Sequence, residues 1–225
     1  MKLRSPFLIP NKHIELDVYF AKPYLEGLNL VDSGYKHKKW WMKRPKEYKT
    51  SISTCVGLLD LQRKGVSIKS WTDFNIVNSD GEFDFSGTSE LNVSSHTSDA
   101  NGWAEKNDIK IAKLVSPFVV QCNEETNFLL TQSPFCKQDI CMPSGILNFK
   151  YQHQLNIFLY LHQRVSSVTE VRLGDFLVNL QPLSDRPVKV NYMYNPERHF
   201  YLGQKSKGTT VNSYRKLNFL RKNSK

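Results

Sequence analysis

Side chains that could perform acid–base or metal chemistry are scattered along this sequence. Six histidines occur, at positions 13, 37, 96, 153, 162 and 199. His153 and His162 lie nine residues apart on one predicted β segment, and an odd spacing places them on opposite faces of a strand. The sequence contains no His-x-His pair, no Walker-type loop and no G-x-S-x-G turn. We therefore predict no metal site and find no catalytic motif.

The four cysteines also lack the spacing of a metal or redox site. They stand at positions 55, 122, 136 and 141, with no C-x-x-C pair and no histidine at metal spacing nearby. Buried or half-buried free thiols in a reducing compartment are the simplest interpretation of such a set. We expect no cofactor.

One stretch combines residues in a spacing that a nucleotide pocket could use. Gly145, Asn148 and Tyr151 fall within seven residues, and Leu173-Gly-Asp175 follows after a predicted strand. This layout resembles the third and fourth motifs of the trimeric dUTPases, which have a β-clip fold. The resemblance implies that Tyr151 stacks under a deoxyribose and that Asp175 opens the next strand of the pocket.

The same stretch departs from the dUTPase pattern at the residue that performs the chemistry. Asn148 stands where that family has the aspartate that activates water. An amide has no basic lone pair at neutral pH, so Asn148 cannot take a proton from water. We therefore expect no hydrolysis of dUTP by that family's route.

A second resemblance covers about a fifth to a quarter of the chain. Residues Trp40–Val77 and Leu173–Asp185 are similar to segments of a family of tailed-phage proteins that has no assigned activity. The spacing that carries this resemblance involves Cys55, Asp60, Gly65, Trp71 and Asp73. It implies a phage origin and a compact β fold. We interpret Asp60 as a turn residue and Asp73 as a hydrogen-bonding residue at the end of a strand.

The net charge of +10 comes from two basic patches. Residues 36–49 carry seven basic side chains and Glu47, and residues 197–225 carry eight basic side chains and Glu197. The local net charges are +6 and +7, so the rest of the chain sums to −3. Such patches attract phosphate groups or acidic protein surfaces, although a solvated face is the alternative interpretation.

Aromatic and apolar residues are interleaved with both patches. We expect contacts from Lys38, Lys39, Trp40, Trp41, Lys43 and Arg44 in the first patch, and from Tyr214, Arg215, Lys216, Phe219, Arg221 and Lys222 in the second. Trp40 and Trp41 would point to opposite sides of an extended chain, so one is expected in the core and the other at the surface. All four tryptophans are either core anchors or platforms on which bases stack: Trp40, Trp41, Trp71 and Trp103.

Short strands dominate the predicted secondary structure. We predict strands at Ser51–Leu58, Val66–Ile76, Leu114–Val120, Phe128–Gln132, Gln154–Leu161, Val168–Leu173, Phe176–Leu180 and Val188–Tyr194. A turn is predicted at Asn78–Gly81 and an exposed loop at Ser86–Asn101. The few helix candidates are Pro45–Tyr48, Ser98–Lys106 and Asn212–Lys222.

These patterns predict an all-β protein with a β-sandwich, jelly-roll or β-clip-like core and few short helices. Residues 1–196 would form a single β-rich domain, and residues 197–225 a basic C-terminal arm. The longest apolar run, Leu155–Leu161, is too short to cross a membrane, and Pro6 and Pro10 interrupt any signal-peptide core.

The function that these features favour is that of a non-enzymatic structural or assembly protein of a phage virion, made in the host cytoplasm. Its partners would be other capsid or tail proteins in an oligomeric assembly, with DNA contact through the basic patches as a possibility left open. One alternative is a phage-encoded dUTPase-like nucleotide-binding protein that uses Asn148, Tyr151 and Asp175. The other is a nucleic-acid-binding module that acts in the infected cell.

Overall fold

The computed structural model describes residues 13–33, 64–79, 82–95, 109–133, 136, 140–162 and 167–209. The all-β prediction is confirmed, because strands account for most of this part of the chain. The strands are β1 Ile14–Phe20, β2 Val31–Ser33, β3 Val66–Lys69, β4 Phe74–Ser79, β5 Glu82–Gly87, β6 Val93–Ser95, β7 Ile109–Cys122, β8 Phe128–Gln132, β9 Gly145–Leu147, β10 Gln154–His162, β11 Ser167–Val171, β12 Phe176–Pro182 and β13 Val188–Tyr194. The helices are α1 Pro23–Glu26 and α2 Pro196–Thr209.

The first sheet is built around β7, which is 14 residues long. Its strand order is β10-β7-β1-β13, and β6 pairs with β7 beside β1 on the same edge. The pair β1–β13 is parallel, with Ile14 opposite Val188 and Phe20 opposite Tyr194. The other pairs of this sheet are antiparallel. The parallel pair joins segments from near the two ends of the described chain.

A bulge interrupts β7 where it carries a proline. Three residues, Ser116–Phe118, stand opposite the single residue Leu155 of β10. Proline has no N–H to give to a ladder, so it is tolerated in a strand at such a bulge. The Gln154 side chain donates from Nε2 to the Ser116 carbonyl oxygen at 2.7 Å, which satisfies one of the carbonyl groups that the bulge releases.

The second sheet has the order β2-β3-β12-β8-β9, and the third has the order β11-β4-β5. Both are antiparallel throughout. In the third sheet, Phe74 and Ile76 are buried, whereas Val168 on the opposite face is exposed. The strand period of two therefore gives this sheet one face toward the core and one toward solvent.

A large hydrophobic cluster takes residues from all three sheets, with Phe20, Phe118, Phe128 and Phe149 among its largest buried side chains. Trp71 is buried in it and packs edge-on against Phe118 with ring centroids 6.3 Å apart. Its indole Nε1–H donates to the Glu90 carbonyl oxygen at 3.2 Å. The core-anchor interpretation is thus confirmed for Trp71. The other three tryptophans lie outside the described residues.

The predicted strand Val66–Ile76 is wrong as one element. It forms β3 and β4, which belong to different sheets. The chain turns at Ser70, whose N–H donates to the Asp175 carbonyl oxygen at 2.7 Å and whose carbonyl oxygen accepts from the Gly174 N–H at 2.9 Å. These bonds to a turn replace the ladder bonds that a continuous strand would make.

Among the other predicted elements, some agree with the structure and others are wrong or missing. The predicted strands Phe128–Gln132 and Val188–Tyr194 coincide with β8 and β13. Part of the predicted loop Ser86–Asn101 is wrong, because Val93–Ser95 pairs with β7 as β6. Helix α2 was not predicted. The predicted strand at 51–58 and the predicted helices at 45–48, 98–106 and 212–222 lie outside the described residues.

Candidate binding surface

Asn148 and Tyr151 lie in the turn that leads from β9 to β10. The Asn148 Oδ1 accepts from the Lys150 N–H at 3.1 Å, and its Nδ2 donates to Asn127 Oδ1 at 3.0 Å. The Tyr151 N–H donates to the Asn148 carbonyl oxygen at 3.1 Å. Asparagine commonly closes turns in this way. Both ends of the Asn148 amide are thus hydrogen-bonded within the fold.

Asp175 lies in a different turn, between β11 and β12. Its Oδ2 accepts from the Arg172 N–H at 2.9 Å, and the Leu173 N–H between them donates to Asp73 Oδ1 at 2.6 Å. Gly174 completes the turn with a φ of +88°. The prediction that Asp73 is a hydrogen-bonding residue at a strand end is confirmed, and the Asp175 carboxylate makes a similar contact.

The structure does not bring Asp175 together with Asn148 and Tyr151. Strand β8 links the two regions, since Phe128 pairs with Leu147 on one side and with Pro182 on the other. Asp175 lies just before β12 and precedes Pro182 by seven residues, which corresponds to roughly 23 Å at about 3.3 Å per residue. The three-residue pocket expected from the dUTPase resemblance is therefore not formed, because its members lie toward opposite ends of the second sheet.

The glycine of the resembling motif has no special backbone role. Gly145 lies in β9, and a Cβ built there would meet no heavy atom within 4 Å. It therefore needs neither a positive φ nor a close approach, which are the usual reasons for glycine at a binding turn.

A depression of about 490 Å³ lies over one end of the third sheet. Its lining includes Asp73, Glu170 and Arg172, together with the polar side chains of Asn75 and Ser86. Arg172 forms a salt bridge with Glu170 at 3.1 Å, and the Asp73 carboxylate accepts a backbone N–H. The charged groups are engaged in local structure, and none of them is buried in the way a tuned catalytic acid or base is.

Two histidines lie at the junction between α2 and the first sheet. His153 is buried just before β10, donates from Nδ1 to the Val120 carbonyl oxygen at 3.1 Å, and has no hydrogen-bond partner at Nε2. His199 of α2 donates from Nε2 to the Pro117 carbonyl oxygen at 3.2 Å. Burial lowers the pKa of both imidazoles. His153 is not part of the β10 strand, so the predicted shared strand with His162 is wrong.

The described cysteines have no feature of a reactive site. Cys122 is buried, Cys136 is half-buried and Cys141 is exposed, and none of the three forms a disulfide. Burial raises the pKa of the Cys122 thiol, which disfavours its nucleophilic thiolate. Among the described residues, no three His, Cys, Asp or Glu side chains are grouped to hold a metal ion. In that same part of the chain, no helix is long and apolar enough to cross a membrane.

Helix α2 begins with a standard start signal. Asn195 caps it, with Oδ1 accepting from the Arg198 N–H at 2.9 Å, and Pro196 occupies the first helical position. Glu197 adds a negative charge to the first turn, where the helix dipole favours it. These three residues explain why a helix starts directly after β13.

A narrow face of α2 attaches the helix to the first sheet. Leu202 is buried against Tyr19 and Val119. The Ser206 hydroxyl accepts from the backbone N–H groups of His153 at 2.9 Å and Gln154 at 3.0 Å. Leu202 is the only large apolar side chain that the described part of α2 buries.

The outward face of α2 carries the aromatic side chains. Phe200 is 67% exposed and Tyr201 is 56% exposed, and Tyr194 just before the helix is 50% exposed. The Arg198 guanidinium lies 5.4 Å from the centroid of the Tyr201 ring. Among the described side chains of α2, the exposed ones after Pro196 are Glu197, Phe200, Tyr201, Gln204 and Lys205. This spacing of three and four residues forms one stripe along the helix.

We name the following residues the α2 surface: Tyr194, Glu197, Arg198, Phe200, Tyr201, Gln204 and Lys205. All of them are exposed except Arg198, which is half-buried and donates from its guanidinium to Gln121 Oε1 at 2.8 Å. Its largest apolar side chains face solvent, while the buried side of the helix has one leucine. Clustered exposed aromatic residues beside an arginine are typical of protein interfaces. The sequence contained a signal for this arrangement. Asn195-Pro-Glu marks the start of a helix, and the start determines which of the following residues share a face.

The predicted contact residues of the two basic patches, at 38–44 and 214–222, lie outside the described residues. The predicted arm at 197–225 begins inside α2, and residues 197–206 pack on the first sheet or line the α2 surface. Comparison with protein-family models finds no match, and comparison with curated proteins finds none. The functional conclusion therefore depends on the residues of this chain.

Proposed function

We propose that this protein is a non-enzymatic assembly protein of a phage particle, which binds other virion proteins in an oligomeric assembly. The observation that carries the proposal is the α2 surface, where two large aromatic side chains face solvent beside Arg198. The phage setting, with synthesis in the host cytoplasm, comes from the resemblance of residues Trp40–Val77 and Leu173–Asp185 to tailed-phage proteins.

The energetics of the α2 surface favour a macromolecular partner. Full burial of a side chain the size of phenylalanine contributes roughly 1.5–3 kcal/mol, so Phe200 and Tyr201 together could supply several kcal/mol to an interface. The Arg198 guanidinium, already held over the Tyr201 ring, adds a cation with little rotamer freedom left to lose.

A nucleotide-directed enzyme is less well supported. Asn148 and Tyr151 form one turn and Asp175 forms another, toward the far end of the second sheet. The amide of Asn148 is bonded to Asn127 and Lys150, so it does not project into a shared cleft with Asp175. We therefore expect no dUTP hydrolysis above background by the purified protein.

A nucleic-acid-binding module is the second candidate, because aromatic rings beside basic side chains also stack on unpaired bases. The net charge of +10 favours it in the same way. DNA binding that weakens steeply as salt is raised would support this candidate, since each phosphate contact releases a counterion.

The experiment for the proposed function compares particles made with wild-type and altered protein. In the phage that encodes the chain, we expect the protein in purified virions at stoichiometric amount, measured by mass spectrometry. The double variant Phe200→Ser with Tyr201→Ser should reduce its incorporation at least tenfold. Val168→Ser, at another exposed apolar position, is the matched control and should incorporate normally. Absence of the wild-type protein from particles would overturn the proposal.

A further inference from the structure

We infer that the partner at the α2 surface is a second copy of this chain, paired antiparallel through α2 about a two-fold axis at Tyr201. The inference rests on the proposed assembly function and goes further, because it names the partner and the geometry. Two-fold pairing uses one patch twice, so the patch must be complementary to itself.

The α2 surface meets this condition through the positions of its charges. Glu197 lies four residues before Tyr201 and Lys205 lies four residues after it. In an antiparallel pair centred at Tyr201, the Glu197 of each copy therefore faces the Lys205 of the other. A parallel pair would instead place like charges together, which is unfavourable.

The remaining positions follow the same symmetry. The two Tyr201 rings meet at the axis and the Phe200 rings flank them. Offset aromatic packing of this kind adds to the energy that burial of the rings supplies.

The size of the stripe sets the expected strength. Fourteen helical residues extend over about 21 Å at 1.5 Å per residue. One such helix face buries less than the ~800 Å² per partner that is typical of a stable complex. We therefore expect weak, concentration-dependent pairing of the free protein, which the high local concentration in a particle would strengthen.

Site-specific disulfide trapping tests the geometry. In the full chain with Cys141→Ser, which removes an exposed thiol, Tyr201→Cys places the new thiols of two copies at the axis. When the axes of two packed helices lie 8–10 Å apart, the facing Cα atoms at the two-fold axis come within the range of a disulfide. Gln204→Cys is the matched control on the same stripe, because the two copies of residue 204 would lie roughly 9 Å apart along the direction of the helices.

We expect the Tyr201→Cys protein to form a linked dimer at least tenfold faster than the Gln204→Cys protein under mild oxidation. The Cys141→Ser parent gives the background from the remaining cysteines. Equal rates at the two positions, or no linkage at either above that background, would overturn the inference.

Charge reversal tests the pairing without a cross-link. Glu197→Lys and Lys205→Glu should each weaken dimerisation about tenfold by analytical ultracentrifugation, since each change makes two facing pairs repulsive. The double variant should recover to within about twofold of wild type. If both single variants dimerise like wild type, or if the double variant is not restored, the inference is overturned.

The two proposals fail separately. In one case, the Tyr201→Cys protein does not form a linked dimer, but the Phe200→Ser, Tyr201→Ser variant is still incorporated poorly into particles. The α2 surface then binds another virion protein, so the inference is overturned and the assembly function stands. If trapping and charge reversal succeed but the protein is absent from particles, the pairing stands and the phage assembly function is overturned.

Discussion

Gly174 and Gly145 belong to the two segments that resemble dUTPase motifs, but their backbone conformations differ. Gly174 has a φ of +88°, a conformation that is strained for residues other than glycine. It lies in the turn that the hydrogen bond from the Arg172 N–H to Asp175 Oδ2 closes. Gly145 has no such conformation and open space around it. The Leu-Gly-Asp sequence is thus accounted for by the geometry of a turn.

The first prediction concerns these glycines. Gly174→Ala should lower the free energy of unfolding by about 1–2 kcal/mol, because a Cβ at this φ is sterically strained. Gly145→Ala is the control and should not destabilise the protein, since a Cβ there meets nothing within 4 Å. Urea denaturation of both variants measures the difference, and an equal loss at both positions would contradict this account of the turn.

Ser206 carries a second prediction at the residue scale. Ser206→Ala removes the acceptor of the His153 and Gln154 N–H groups, so it should lower the free energy of unfolding by about 1–3 kcal/mol. Alanine is the better helix former, so the loss cannot come from helix propensity. Gln204→Ala, on the exposed face of the same helix, should change stability by less than about 0.5 kcal/mol. A wild-type unfolding midpoint for Ser206→Ala would disprove the role given to this hydroxyl.

At the scale of elements, α2 is attached to the sheet largely by polar contacts. His199 donates to the Pro117 carbonyl oxygen at the β7 bulge, and His153 lies buried beneath the helix. Burial lowers the pKa of His153, and the nearby cations Lys205 and Arg198 lower it further. Protonation of His153 would place a third positive charge beside them and leave a buried Nε2–H without an acceptor.

The pH dependence follows from these lowered pKa values. Both histidines charge more readily in the unfolded chain, where their pKa is about 6.5, than in the folded protein. Stability should therefore be full above about pH 6.5 and fall as the pH drops toward the folded-state pKa, by at most about 1.4 kcal/mol per pH unit for each histidine. Chemical denaturation at pH 7.5 and 5.5 measures this loss.

Variants that cannot titrate provide the comparison for the pH experiment. His199→Gln keeps an N–H donor for the Pro117 carbonyl oxygen, and together with His153→Gln it should flatten the fall in stability between pH 7.5 and 5.5. Hydrogen exchange of the α2 amides should quicken at low pH in the wild type more than in this double variant. Identical pH profiles for the two proteins would assign the effect to other groups.

Elements with clean strand patterns were predictable from sequence, and others were not. Val188–Tyr194 and Phe128–Gln132 lie between turn signals and form β13 and β8 as predicted. Strand β1 was missed although its sequence carries a strand signal, since Ile14, Leu16 and Val18 alternate with Glu15 and Asp17. The division of Val66–Ile76 into two strands depends on hydrogen bonds from Ser70 to a turn a hundred residues away, which no local pattern contains.

The candidate site shows the same limit. Sequence placed the contact residues in the basic patches at 38–44 and 214–222, where charge density is greatest. The α2 surface has a lower charge density, and its aromatic residues become notable only once Leu202 and Ser206 are known to face the sheet. Which side of a helix is buried depends on tertiary packing, whereas the sequence contained only the helix start at Asn195-Pro-Glu.

For the whole molecule, the packing of α2 determines how far the chain can be shortened without loss of stability. A chain that ends at residue 197 loses Leu202 and Ser206, so it exposes Tyr19 and Val119 and should be clearly less stable than wild type. A chain that ends at residue 209 keeps these contacts and should unfold at nearly the wild-type urea midpoint. If both truncations were equally stable, the packing of α2 on the sheet would contribute little.

The truncation at residue 209 also tests the predicted basic segment that follows α2. The chain ending at residue 209 lacks Tyr214, Arg215, Lys216, Phe219, Arg221 and Lys222. If that segment contributes contacts, its particle incorporation should fall while its fold is retained, as judged by circular dichroism. Normal incorporation would restrict the interaction to the α2 surface.

The parallel pairing of β1 with β13 has a consequence for how the chain is synthesised. Paired residues such as Ile14 and Val188 are separated by 174 positions, so β1 leaves the ribosome long before its partner exists. At about 5–20 residues per second the delay is roughly 10–35 s. Throughout that interval β1, whose residues are nearly all buried in the finished fold, has at least one edge without its native neighbour, a state that favours chaperone binding or aggregation. The first sheet is completed only after β13 has been synthesised, so its closure depends on a contact between residues far apart in sequence, which slows folding.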